Sequence, residues 1–87
     1  MNENSLSEIL EKLSKDEDGE VRYSVASNSN TSTETLDKLS NDEDCVIRTC
    51  VAYNPNTSIE ILEKLSEDEE WFVRGNVASN HNSYYLL

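Results

Sequence analysis

Val46-Ile47-Arg48-Thr49-Cys50-Val51-Ala52-Tyr53-Asn54-Pro55-Asn56-Thr57 is one of three versions of a single pattern in this 87-residue chain. Val21-Arg22, Val25-Ala26, Asn28, Asn30 and Thr31 repeat its skeleton 26 residues earlier, and Val73-Arg74, Val77-Ala78, Asn80, Asn82 and Ser83 repeat it 26 residues later. Leu10, Leu36 and Leu62 obey the same shift, as do Leu13, Leu39 and Leu65. Units 5–30, 31–56 and 57–82 therefore align without gaps, and twelve of their 26 columns are identical throughout. A fixed period of this length marks stacked supersecondary units. Residues 83–87 read as the start of a truncated fourth unit or a cap, and the whole as one helical-repeat domain.

Each unit reads as two short helices. Ser5, Thr31 or Thr57, followed three residues later by Glu8, Glu34 or Glu60, matches a capping box that opens the first helix. The leucines then form an i, i+3 apolar stripe. Asp16-Glu17-Asp18, Asp42-Glu43-Asp44 and Asp68-Glu69-Glu70 suit the positive N-terminal end of a second helix. Its buried face is Val21 and Val25, Ile47 and Val51, or Val73 and Val77, at i, i+4. Asn28, Asn54 and Asn80 are expected to end it in the left-handed conformation that Asn tolerates, and Pro55 supports the break. One such unit buries too little to offset its ordering entropy, so the units must stack into a continuous core. The first unit is the most polar, as an N-terminal cap should be.

Composition excludes several functions. Eighteen acidic against seven basic residues give a formal charge of -11, which repels nucleic-acid backbones and anionic membranes. No segment approaches the ~20 apolar residues of a membrane span. The first eight residues lack a signal-peptide pattern, so a cytoplasmic location is expected. Two cysteines are too few for a disulfide scaffold.

The skeleton of residues 46–57, followed by Leu62, Leu65 and Asp68, resembles the leucine-rich repeat variant family, bacterial HEAT-like helical repeats. The likeness covers residues 5–83. It implies an all-α fold, a short right-handed solenoid of alternating α- and 3₁₀-helices, and no shared catalytic activity. The Asn-Pro-Asn turn is complete only at Asn54-Pro55-Asn56, since Ser29 and His81 stand at the other two proline positions. The cysteine-rich iron–sulfur segment of some members has no counterpart here, so no cofactor is expected.

The recurrent charged columns are the main candidates for chemistry. Arg22, Arg48 and Arg74 are expected to form a structural ladder with Asp16, Asp42 and Asp68 or with helix-end carbonyls, in preference to an anion-binding strip. Five acidic columns hold 15 of the 18 carboxylates. Asp16-Glu17-Asp18-Gly19 echoes part of a calcium loop but lacks its later bidentate Glu, so no metal is expected. Cys45 and Cys50 do not recur and lack zinc spacing. His81 has no recurrent partner for a nucleophilic triad. Trp71, Phe72, Tyr84, Tyr85, Leu86 and Leu87 concentrate large, largely apolar side chains near the C-terminal end. Core and end-cap packing, with the tail a lid over Leu62, Leu65 and Val77, is one reading, and docking on a partner or on a second copy with two-fold symmetry is the other. The function these features favour is a non-catalytic protein–protein interaction module. The alternative is an acidic antagonist of a basic protein such as a nuclease or DNA-binding protein.

Overall fold

Three short acidic turns lead into half of the helices, and two of them supply a side-chain cap. Asp18 has extended backbone and accepts the Glu20 N–H at 2.9 Å. Asp44 does the same for Val46 at 2.9 Å. Each caps a nine-residue helix: α2 (Gly19–Ser27) and α4 (Cys45–Tyr53). A computed structural model describes residues 5–81, and adds α1 (Ser5–Leu13), α3 (Thr33–Leu39), α5 (Ile59–Leu65) and α6 (Trp71–Ser79). The fold of the described residues is all-helical, with no strand.

In space, α2 packs on α4 and α4 on α6 in the most extensive helix contacts. Helices α1, α3 and α5 lie against this row, α3 touching α2 and α4, and α5 touching α4 and α6. The shape is long and thin, 43 × 25 × 14 Å. One apolar cluster runs through it, from Leu10 and Val25 through Leu36, Ile47 and Val51 to Leu62, Val73 and Val77.

Four local expectations are corrected. The cap of α3 is Ser32, not Thr31, and that of α5 is Ser58, not Thr57; their hydroxyls accept the N–H groups of Thr35 and Ile61. Thr31 and Thr57 are buried instead, and donate to the carbonyls of Val25 and Val51 at 2.7 and 2.6 Å. The neighbouring hydroxyls divide the work: one caps the new helix and the other ties the turn to the helix just ended.

The second correction concerns Asn28, Asn54 and Asn80. All three end their helices with extended backbone, φ -84°, -65° and -71°, and no described residue has positive φ. Thirdly, no alternation of α- and 3₁₀-helices is found, because all six elements are α-helices. Three-residue bonds only tighten their ends, as in Lys15 N–H to Lys12 O at 3.2 Å and Asp16 N–H to Leu13 O at 3.1 Å. Finally, the first unit is not uniformly polar at its surface, since Leu6 and Ile9 are exposed.

Candidate interaction surface

The arginine column organises the acidic turns. Arg22 donates from Nε to Asp42 Oδ2 at 2.8 Å and from Nη2 to Asp42 Oδ1 at 3.3 Å, a bidentate pair that crosses from one unit to the next. Its Nη1 donates to the carbonyls of Asp16 and Glu17, in its own unit, at 2.9 and 3.1 Å. Arg48 repeats the arrangement one unit on. It meets Asp68 at 2.8 and 3.2 Å, and the carbonyls of Asp42 and Glu43 at 2.9 and 3.4 Å. The rungs are well shielded, with side-chain exposures of 16% and 9% for Arg22 and Asp42, and of 13% and 8% for Arg48 and Asp68.

Electrostatics follow the geometry. The hydrogen bond from Arg48 holds the Asp68 carboxyl below its usual value against the opposing effect of burial. The same bond raises Arg48, and the bond that Arg22 donates to Asp42 raises Arg22. The first acid of each turn also accepts a backbone N–H two residues on: Asp16 from Asp18, Asp42 from Asp44, and Asp68 from Glu70. Among the described residues Asp16 pairs with no arginine, and Arg74 makes no hydrogen bond to a carboxylate; it bonds the Asp68 carbonyl at 2.7 Å, and its charge helps to lower the Asp68 carboxyl.

A second inter-unit column was not anticipated from the sequence. Asn54 Nδ2 donates to the carbonyls of Ala26 and Asn28 at 2.8 and 3.0 Å, and Asn80 Nδ2 to those of Ala52 and Asn54 at 2.7 and 3.1 Å. Recurrence of Asn at each helix end carried this signal, but a bond spanning 28 residues has no local pattern. Asn56 adds a further bridge to the Thr31 carbonyl at 2.7 Å.

These ties engage the arginine, first-acid and helix-end asparagine columns, and a different surface stays exposed. Tyr23 on α2 and Val46 and Tyr53 on α4 are exposed, Tyr53 by 67%. Val46 and Tyr53 share one helical face, and Tyr23 walls two grooves beside them. A groove of about 620 Å³ is lined by Tyr23, Val46 and Ile47 together with Asp18, Glu20 and Asp44. One of about 350 Å³ is lined by Tyr23, Thr49, Cys50, Tyr53, Pro55 and Asn76. Comparison with known families, curated proteins and solved structures finds no match for this chain. The surface must speak for itself.

Of the aromatic residues singled out near the C-terminal end, Trp71 is 72% exposed and Phe72 half-buried, their rings edge to face at 5.6 Å and 86°. Tyr84, Tyr85, Leu86 and Leu87 lie outside the described residues. Cys45 and Cys50 are free thiols, Cys50 packing against the core. Among the described residues no three His, Cys, Asp or Glu side chains gather as a metal ion would need. None of the described helices is long and apolar enough to cross a membrane.

Proposed function

We propose that this chain is a non-catalytic protein-interaction module, a short right-handed helical-repeat solenoid of the leucine-rich repeat variant type. Its partner docks across α2, α4 and α6. The observation that carries this reading is the segregation of the surface. Glu20 is the only carboxylate on those three helices, although the chain carries a charge of -11. Exposed aromatic and aliphatic side chains beside grooves, on helices that carry a single carboxylate, are the composition of interface anchors.

The groove of about 620 Å³ beside Tyr23 combines the apolar Val46 and Ile47 with the carboxylates of Asp18, Glu20 and Asp44. Its occupant is a protein segment with an apolar side chain next to a lysine or arginine. Panning a random-peptide library on the intact chain should enrich such apolar–basic sequences, and Tyr23→Ser with Tyr53→Ser should abolish their binding. Peptides that bind the variant as well as the parent, or no enrichment at all, refute the reading.

The acidic-antagonist reading draws on one further feature: nine carboxylates stand in the three turns that precede α2, α4 and α6. Charge mimicry depends on salt, whereas anchoring in apolar grooves does so weakly. Binding that survives the tyrosine substitutions but is lost in a few hundred millimolar salt favours the antagonist.

A further inference from the structure

Two columns of charge run between units, and each is open at both ends of the described structure. The first is the guanidinium–carboxylate column, in which an arginine meets the aspartate 20 residues later. Among the described residues it leaves Arg74 without a hydrogen-bonded carboxylate at one end and Asp16 without a paired cation at the other. The second pairs a lysine with an acid 27 residues earlier: Lys38 with Glu11 at 3.1 Å, and Lys64 with Asp37 at 3.4 Å. It leaves Glu63 without a lysine and Lys12 without an acid. The open groups have opposite signs at opposite ends. Arg74 faces forward where Asp16 faces back, and Glu63 faces forward where Lys12 faces back.

Apolar exposure obeys the same logic. Ile9 is 51% exposed, whereas Thr35 and Ile61, its equivalents in the units that have one before them, are buried. Leu13 and Val21 are half-buried, but Leu39, Leu65, Ile47 and Val73 are buried. One end of the molecule thus shows the apolar residues that an upstream unit covers inside the chain. The other end shows Trp71 and Arg74, in a helix face whose equivalents Gly19, Arg22, Cys45 and Arg48 are shielded by a downstream unit.

We infer that a second copy of this chain docks head to tail in the register of the internal repeat. Arg74 of one copy meets Asp16 of the next, and Glu63 meets Lys12. Ile9, Leu13 and Val21 of the second copy cover the exposed face of α6. Register supports this directly: three 26-residue units make a shift of 78, which carries the next acid due to Arg74 onto Asp16 and the next lysine due to Glu63 onto Lys12. Such an interface is heterologous, so association continues beyond two copies unless a ring closes. It does not depend on what occupies the tyrosine face.

Charge exchange on the full chain tests the proposal. In sedimentation at low salt, the parent should rise with concentration from its 9.9 kDa monomer mass to species larger than a dimer. Glu63→Lys with Arg74→Glu reverses one end, and Lys12→Glu with Asp16→Lys reverses the other. Each variant alone sets like charges against each other and should associate at least roughly a hundredfold more weakly. Mixed in equal amounts, the two should associate as the parent does, because every junction is again complementary. Lys12→Glu alone, at an exposed position, is the milder control for folding and should weaken association as well. A parent that stays monomeric throughout, a dimer that Lys12→Glu does not disturb, or folded variants whose mixture remains monomeric would each overturn the inference.

Discussion

Arg48 and Arg74 occupy the same column but have unequal work. Arg48 is shielded, bidentate to Asp68 and bonded to two carbonyls, whereas Arg74 is exposed and keeps one carbonyl bond. Removing one partner of a shielded pair strands the other and forfeits stem packing. Arg48→Ala should therefore lower stability by ~2–4 kcal/mol, and Arg74→Ala should change it little. Urea denaturation of the two variants compares them directly, and equal losses would mean that the inter-unit pair contributes nothing. The sign of the pH dependence follows from Asp68, whose carboxyl is lowered first by the Arg48 hydrogen bond. A lowered carboxyl stabilises above its unfolded value, about 3.9, and loses that contribution as pH falls through the folded value. The gap in stability between the parent and Asp68→Asn should be full at pH 7 and should close below pH ~4. A gap of the same size at both ends of that range would assign it to packing.

Helix ends show where one methylene matters. Asp18 and Asp44 cap their helices, but Glu70 makes no side-chain cap bond at the start of α6. Its backbone is extended like theirs, so the longer side chain is what separates the three. Glu70→Asp should restore the missing bond and add ~0.5–1 kcal/mol, raising Tm by a few degrees for a domain of this size. A variant no more stable than its parent would show that the cap is immaterial there. The same helices show what sequence can carry. The i, i+4 pairs Ile47 and Val51, and Val73 and Val77, are buried on one face, because α4 packs on α2 and α6 on α4, in each case the equivalent helix one unit earlier. Val21 has the same pattern and is only half-buried, because among the described residues no helix packs on α2 from upstream in the way that α2 packs on α4. The shift from Thr31 to Ser32 as the cap was not legible, since two adjacent hydroxyls satisfy the same local rule and only a carbonyl of the preceding helix separates their roles. Asn54 read as a backbone conformer when its amide was the functional part. Of the interaction surface, Trp71 and Phe72 were visible as an aromatic pair; Tyr23, Val46 and Tyr53 were not, because they stand at columns that do not recur and meet only when α2 packs on α4.

For the whole molecule, each unit draws its order from its neighbours. Arg22 needs the turn of the second unit, Asn54 needs the helix end of the first, and Lys64 needs α3 of the second. If the units stack linearly, stability is a sum of unit and junction contributions, and a central unit adds more than an end unit. Residues 31–56 supply both halves of every column: Arg48 forward and Asp42 back, Asp37 forward and Lys38 back, with Asn54 reaching back to the preceding helix end. A tandem duplicate of residues 31–56, inserted between 56 and 57, therefore meets matching partners at both new junctions. The four-unit chain should remain all-helical, unfold at a higher urea concentration, and show an m-value larger by roughly a third, because m follows the surface exposed on unfolding. A closed bundle would respond in the opposite way, since 26 additional residues would have no core to join and would loop out or destabilise it. An unchanged m-value with a lower midpoint would therefore refute linear stacking, and with it the head-to-tail register that continues the same operation between copies.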